Sequence, residues 1–270
     1  LKAIFASNGL AEVDDPDDIF NLFYDEEVRH AFSEAFAKFA KALDNVYPRK
    51  EALDYLGDLN RFSEVNTLAS QHFRDQKMSM KGVSAKLRQV TDTYLKTRGI
   101  DTKVEPISIM DDKFFEHVKT HKRVRTRAAE VEHAIRHYIE VNVDEDPELY
   151  ASFSEELSRI LTAFRDNWEE IYRMLEALRA RMQAAQEEDT KGLDRKTQMP
   201  IYRKLHKLVF GGKELTDDEV NDLVIWTKEI YGRLRIELSL VAFWDNAGAV
   251  ARLRGEISNY IADVCTGATL

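Results

Sequence analysis

Apolar residues recur every three or four positions along almost the whole chain, and this spacing constrains the fold more than any other feature. It places side chains along one face of an α-helix, whereas a half-buried β-strand needs strict alternation. One apolar stripe runs from Val28 to Val46 and stops before Pro48, and another runs from Leu53 to Leu68. The 270 residues include only 11 glycines and 5 prolines, which also favours helices over a turn-rich β fold. The sequence therefore predicts an all-α multi-helix bundle.

The strongest helical pattern runs from Pro147 to about Glu187. Asp146 is a good N-cap residue, and Pro147 suits the first helical position. The apolar positions alternate gaps of four and three and comprise Leu157, Leu161, Phe164, Trp168, Ile171, Leu175, Leu178 and Met182. Phe164 and Trp168 are bulky for the seam of a two-stranded coiled coil. We therefore expect one helix of about 40 residues packed inside its own bundle, and a monomeric isolated domain.

The segment 101–112 interrupts the helical period and is predicted to be a connector, because Pro106 disfavours helix at the residue before it. We expect residues 1–19 to form an N-terminal connector and residues 20–270 to form the helical domain. A single bundle and two packed helical lobes, 20–100 and 113–270, both fit the sequence. The chain begins at Leu1 instead of methionine, so we expect a fragment or a processed product.

Composition and charge exclude several classes of protein. No apolar run approaches the length of a membrane span, and no signal-peptide pattern opens the chain. The one cysteine, Cys265, rules out an internal disulfide and fits a reducing cytoplasm. A net charge of −9 argues against a surface covered in phosphate-binding residues, although a local basic patch is compatible with it.

The stretch EVEHAIRHYIE places two imidazoles and two carboxylates on one helical stripe. The four residues are Glu130, His133, His137 and Glu140. A metalloprotease HExxH motif needs glutamate directly after its first histidine, and Ala134 occupies that position. Glu132 and Arg136 form an i,i+4 pair in the favourable order. We therefore expect a solvated, salt-bridged or partner-binding face and no metal ion, with a metal-dependent hydrolase using His133 and His137 as the alternative.

The segment KTHKRVRTR is a basic anomaly in an acidic chain. Its cations are Lys119, Lys122, Arg123, Arg125 and Arg127. They collect near a predicted helix N-terminus, where the helix dipole disfavours positive charge. Helix stability alone does not explain their position, but an anionic partner does, either DNA phosphate or an acidic protein surface. The segment is therefore a candidate DNA-backbone contact, with an acidic protein partner and a solvated loop as the alternatives.

Several stretches taken together resemble the C-terminal region of restriction (R) subunits of type I restriction-modification enzymes. They include the run FNLFYDEEVRHAFSEAFAKFAKALDNVYPRKEALDYLGDLNRF and the run FRDQKMSMKGVSAKLRQVTDTYL. The most specific stretch is EVEHAIRHYIEVNVDEDPELYASFSEEL, and the last one along the chain is FWDNAGAVARLRGEISNYI. The likeness extends from about Phe20 to Ile261. On this resemblance, the candidate motif or interface residues are Glu132, His133, Arg136, His137, Trp244, Asp245 and Asn246.

The resemblance implies a bacterial, cytoplasmic parent that is an ATP-dependent DNA translocase and endonuclease requiring ATP and Mg²⁺. Such a parent assembles with methyltransferase (M) and specificity (S) subunits, and its motor domains precede this region. No ATPase or nuclease motif occurs in the chain, so we expect no catalytic residue and no cofactor here. The implied role is docking to the M and S subunits together with DNA contact. A helical adaptor without DNA contact remains the alternative.

Overall fold

In the computed structural model, several helices begin at side-chain caps, which are Asp15, Asp25, Ser84 and Thr216. The structure describes residues 2–7, 15–75, 78, 83–100 and 106–267. Within those residues the chain forms α-helices and one short 3-10 helix, and no strand. The predicted all-α class is therefore confirmed. Residues 101–105 of the predicted connector, residues 1 and 8–14 of the predicted N-terminal segment, and the side chain of Cys265 lie outside the description.

The chain divides into two compact units. Unit 1 comprises Leu1–Tyr138 and Glu156–Gln183, and unit 2 comprises Ile139–Glu155 and Ala184–Leu270. Both ends of the segment 101–112 belong to unit 1. The chain passes between the units within three helices instead, so the division does not coincide with the lobes 20–100 and 113–270.

Seven helices belong wholly to unit 1. They are α1 (Lys2–Ser7), α2 (Pro16–Phe23), α3 (Glu26–Val46), α4 (Lys50–Leu53), α5 (Leu56–Phe73), α6 (Ala85–Thr97) and α7 (Lys113–Val118). Their core is rich in aromatic side chains, with Phe23 and Phe32 fully buried at a ring-centroid distance of 5.0 Å. Burying each such ring stabilises the fold by roughly 1.5–3 kcal/mol. Helix α3 carries the predicted stripe and ends at Val46, as expected.

Three helices contribute residues to both units: α8 (Val124–Asn142), α9 (Pro147–Phe164) and α10 (Trp168–Glu187). Asp146 and Pro147 begin α9 as predicted, since the Asp146 carboxylate accepts from the Leu149 amide at 3.1 Å. The stretch predicted as one long helix is helical over this range with one interruption at 165–167. Arg165 there has a left-handed backbone with φ of 38°.

The interruption at 165–167 has a local cause. Asp166 and Asn167 are weak helix formers that favour caps and turns. The Asn167 side chain accepts from the Glu170 amide at 3.3 Å and so caps α10. The apolar stripe continues beyond the break, because Ile171, Leu175, Leu178 and Met182 are all buried. The heptad pattern therefore predicted the buried face correctly but did not predict the turn at 165–167.

Unit 2 also contains α11 (Met199–Phe210), α12 (Asp217–Leu238), a 3-10 helix (Phe243–Asp245) and α13 (Ala247–Gly267). Gly211 caps the C-terminus of α11 with a φ of 63°, a conformation that suits glycine. A capping box begins α12: the Thr216 side chain accepts from the Glu219 amide, and Glu219 accepts from the Thr216 amide. The core of α11 and α12 includes Leu205 and Ile230.

Replacement of Arg165 by glycine tests the interruption. Glycine adopts positive φ without strain, so we expect Arg165→Gly to raise the free energy of unfolding by up to about 1 kcal/mol. The matched control is Arg159→Gly in the exposed middle of α9, which should lower it by about 1 kcal/mol. Urea denaturation measures both. Equal destabilisation by the two substitutions would indicate a continuous helix and contradict the break.

Candidate functional site

The N-terminal half of α8 is buried on almost every side, including its polar side. Glu130 and Glu132 are each only 6% exposed. The sequence predicts a solvated, salt-bridged or partner-binding face for Glu130 and its stripe, and a solvated face is wrong for this residue. The helix is surrounded by other elements of unit 1, so its carboxylates find protein partners instead of water. A buried carboxylate without partners would be strongly destabilising.

Glu132 is held by a partner on its own helix and by Tyr24, the residue directly after α2. Arg136 donates through Nε to Glu132 Oε1 at 3.0 Å, which confirms the predicted i,i+4 pair. The Tyr24 hydroxyl donates to Glu132 Oε2 at 3.2 Å. Burial, followed by the neighbouring Glu132 charge, raises the pKa of Tyr24. Glu132 is therefore part of the packed scaffold of unit 1, whereas Arg136 pairs with it from an exposed position.

Glu130 lies in a second cluster, built with two histidines from the preceding segment. Glu130 Oε2 is 2.8 Å from His121 Nε2, and Glu130 Oε1 is 3.4 Å from His117 Nε2. Burial alone would raise the pKa of Glu130, but the hydrogen bonds with His117 and His121 lower it to about 2. The carboxylate is therefore ionised at neutral pH.

His121 bridges two buried carboxylates. Its Nδ1 is 3.0 Å from Asp17 Oδ1, and its Nε2 faces Glu130. Asp17 is 5% exposed and also accepts from the backbone amides of Lys122 at 2.8 Å and Arg123 at 3.2 Å. Burial disfavours the charged imidazole, but Glu130 and Asp17 together raise the pKa of His121. Asp17 thus fixes both the ring and the loop that carries it.

His72, in the last turn of α5, completes the cluster. Its ring stacks on Phe20 with centroids 4.0 Å apart and planes 5° apart, and it lies 5.4 Å from the His121 ring. Burial lowers the pKa of His72 to about 3, so the ring is neutral. Its Nε2 is buried and has no hydrogen-bond partner among the residues that the structure describes. One ligand atom each from His72, His121 and Glu130 lies within 4.8 Å of the others.

These residues line one end of a cavity of about 470 Å³ in unit 1. The walls of the cavity also include Leu68, Gly99 and Ile107. Two imidazoles and a carboxylate form a donor set suited to a borderline divalent metal ion. The sequence does not reveal this cluster, because its members come from α2, α5, α7, α8 and the loop before α8. The one local pattern that hints at it is the i,i+4 spacing of His117 and His121, at the start of the basic segment.

The predicted basic segment divides into an exposed part and an inward part. Lys119, Lys122 and Arg123 are exposed. Lys122 Nζ lies 2.7 Å from Asp15 Oδ2, and Arg123 forms an ion pair with Asp18. The anionic partner that the helix dipole argument required is therefore present in the chain itself, at the N-terminus of α2.

Arg125 and Arg127 point into unit 1. The Arg125 guanidinium lies over the rings of Tyr24 and Trp168, at 4.9 and 5.1 Å from their centroids. Arg127 Nε donates to the His121 carbonyl at 2.7 Å. Both side chains therefore contribute to the packing of unit 1. Their guanidinium groups contact other protein groups.

The other predicted residues occupy two different environments. His133 is largely buried and packs edge-on against Phe73 at a centroid distance of 5.0 Å, and His137 is half-buried. In unit 2, Trp244 is 76% exposed, Asp245 is exposed, and the Asn246 side chain accepts from the Ala249 amide at 3.1 Å. Asn246 therefore caps α13, whereas Trp244 presents an apolar surface to solvent.

One family model matches the chain. It describes the C-terminal region of type I restriction enzyme HindI endonuclease subunit-like proteins and covers residues 9–226. The matched range contains every member of the Glu130 cluster and ends before Trp244. No curated protein and no solved structure matches the chain. Among the described residues, no helix has the length and apolarity that a membrane crossing needs.

The buried His133 gives a prediction for the pH dependence of stability. Burial, together with the charges of Arg29 and Arg136, lowers the pKa of His133 to about 3. As pH falls below about 6.5, the unfolded chain takes up a proton on this residue and the folded chain does not. This residue alone should lower the free energy of unfolding by about 2 kcal/mol between pH 7 and pH 5.

Comparison of two substitutions isolates that effect. His133→Phe should flatten the decline in stability between pH 7 and pH 5, as measured by urea denaturation at each pH. The control is His137→Phe, one turn further along α8, where the ring is only half-buried. The same pH dependence in His133→Phe and the unmodified chain would show that His133 is accessible to protons in the folded state.

Proposed function

Because the chain belongs to the family of C-terminal domains of type I restriction enzyme HindI endonuclease subunit-like proteins, we propose that it joins its subunit to the rest of such an enzyme. The partners in this proposal are the methyltransferase and specificity subunits. ATP hydrolysis with Mg²⁺, DNA translocation and cleavage are assigned to other parts of the parent. The proposed location is the bacterial cytoplasm, where such an enzyme meets DNA.

One observation carries the assembly role: a group of exposed apolar side chains at the end of α12, here called the docking patch. It comprises Leu238, Leu240, Val241 and Trp244, which are 43%, 54%, 99% and 76% exposed. Single exposed apolar residues are ordinary, but a concentration of them that includes tryptophan is typical of protein interfaces. Tryptophan in particular provides a large apolar area with little conformational freedom to lose on binding.

The docking patch has an ordered support. Phe243 is 4% exposed and packs with Ala249 and Leu253 of α13, so the chain between α12 and α13 is anchored in its middle. Asn246 then caps α13. An interface built on an anchored segment loses less entropy on binding than one built on a free loop. The patch lies beyond residue 226, so the structure of this chain, and not the family match, supports its role.

The alternative of a metal-dependent hydrolase using His133 and His137 has less support. Among the described residues, the group of three metal-ligating side chains that lie close together contains neither histidine. His133 is packed against Phe73, which favours a role in the core of unit 1. The group consists of His72, His121 and Glu130 instead.

Substitution in the docking patch tests the assembly role. We expect the double change Val241→Ser and Trp244→Ala to weaken capture of the methyltransferase and specificity subunits by about tenfold or more, because it removes the two most exposed members. The matched control is Ile225→Ser, at a residue that is 60% exposed on α12. A pull-down with purified subunits measures the effect. Undiminished capture by the double variant would exclude the patch as the interface.

DNA contact by the basic segment is the second candidate function, favoured by three exposed cations. Lys119, Lys122 and Arg123 remain accessible, although two of them are paired with Asp15 and Asp18. Exchanging these carboxylates for DNA phosphates would keep the cations paired. Arg125 and Arg127 contribute to this role only through the packing that holds the segment in place.

Salt dependence of DNA binding tests this second role in the assembled enzyme. Each phosphate neutralised contributes about −0.9 to the slope of log affinity against log salt, so changing all three exposed cations to Ala should flatten it by roughly 3. The effect should be the same on cognate and random duplexes, since phosphate contacts carry little sequence information. The control changes three other exposed cations of unit 1, Lys41, Lys86 and Arg88, to Ala. An unchanged slope in the first variant would favour an adaptor without DNA contact.

A further inference from the structure

We propose that His72, His121 and Glu130 bind one divalent metal ion of the zinc class inside unit 1. The three residues come from α5, from the loop before α8 and from α8, so a bound ion would join three separate segments. Two histidines and one glutamate are a set of protein ligands that zinc uses when a further coordination position stays open. The proposed site does not rest on the docking or DNA-contact roles, but His121 lies within the basic segment 119–127.

The distances suit this assignment. In a tetrahedral zinc site with bonds of about 2.0–2.1 Å, neighbouring ligand atoms stand roughly 3.3 Å apart. His121 Nε2 and Glu130 Oε2 are 2.8 Å apart, so they need to separate by only about half an ångström. One nitrogen of His72 lies within 4.8 Å of both atoms. It therefore needs to move toward them by at most about 1.5 Å to reach the spacing of a tetrahedral site.

The surroundings of His121 match a known way of orienting metal ligands. Histidines that bind metal through one ring nitrogen almost always donate the other N–H to a carboxylate or a carbonyl. The Nδ1 of His121 faces Asp17 Oδ1 at 3.0 Å, which leaves Nε2 facing Glu130. Asp17 is buried and further held by two backbone amides, so the orientation of the ring is fixed before any ion binds.

His72 supplies independent evidence that this group of residues favours a ligand. Its ring is 5% exposed, and its Nε2 makes no hydrogen bond to any residue in the described part of the chain. A buried polar atom without a partner is destabilising, so such atoms are rare and call for an explanation. The stacking of the ring on Phe20 explains its position but not its chemistry, since phenylalanine would stack equally well. A metal ion accounts for the choice of histidine.

The cavity beside the cluster accommodates the remaining coordination position. It measures about 470 Å³ and is lined by all three proposed ligands and by His117. His117 Nε2, which lies 3.4 Å from Glu130 Oε1, or a water molecule would complete a tetrahedral set. The ion would also offset the negative charges of the two buried carboxylates, Glu130 and Asp17.

Zinc binding to the full chain tests the proposal directly. After removal of metal with a chelator, titration calorimetry with Zn²⁺ should give one site, and the melting temperature should rise on addition of Zn²⁺. Mg²⁺, a hard cation that prefers oxygen ligands, should give neither effect. Co²⁺ in place of Zn²⁺ should show the visible absorption of a four-coordinate site with nitrogen and oxygen ligands.

Matched substitutions separate these ligands from other histidines and glutamates. His72→Phe preserves the stacking on Phe20, and Glu130→Gln preserves size. Each should lower Zn²⁺ affinity by more than about 100-fold, because loss of an outer partner alone lowers it by roughly 10–100-fold. The controls are His133→Phe and Glu132→Gln, which alter buried residues of the same helix outside the site and should bind Zn²⁺ like the unmodified chain.

Circular dichroism first confirms that each variant is folded, and His121→Gln replaces any variant that is not. Absence of a stoichiometric Zn²⁺ site in the unmodified chain would overturn the proposal. Equal affinity in His72→Phe and His133→Phe, or in Glu130→Gln and Glu132→Gln, would overturn it as well, because the bound ion would then lie elsewhere.

Discussion

The burial of two carboxylates on α8 is the constraint on which the rest of unit 1 depends. Glu130 and Glu132 are almost inaccessible to solvent, and the free energy of burying such charges is offset only when each has close, well-oriented partners. Arg136 and Tyr24 donate hydrogen bonds to Glu132. His117 and His121 contact Glu130. The partners of these carboxylates fix α2, the end of α7 and the loop before α8 against α8.

Acidic residues at the N-terminus of α2 explain the unusual concentration of basic residues before α8. A helix N-terminus is an unfavourable place for cations unless anions lie nearby. The N-terminus of α2 supplies them, since Asp15, Asp17 and Asp18 contact the side chains or backbone of residues 121–123. The basic segment is therefore a structural element of unit 1 first, and its exposed members are available for DNA only by exchanging partners.

The match to the type I restriction endonuclease subunit family includes the proposed metal site but not the docking patch. The family match covers residues 9–226, which include the whole Glu130 cluster, the helices α2 to α11 and the first part of α12. The docking patch lies in the last part of the chain, outside that match. Assembly and metal binding are thus carried by separate features, so either proposal can fail without affecting the other.

The sequence by itself determined the class of fold, some helix ends and the family, because periodicity, caps and local motifs act over only a few residues. It predicted the end of α3 at Val46, the Asp146 cap of α9 and the Glu132–Arg136 pair correctly. Tertiary structure alone decided that Glu130 is buried, that Arg125 and Arg127 point inward, and that His72 and His121 meet. A single helical period shows which residues share a face, but not whether other helices cover it, and the cluster joins segments more than fifty residues apart in the chain.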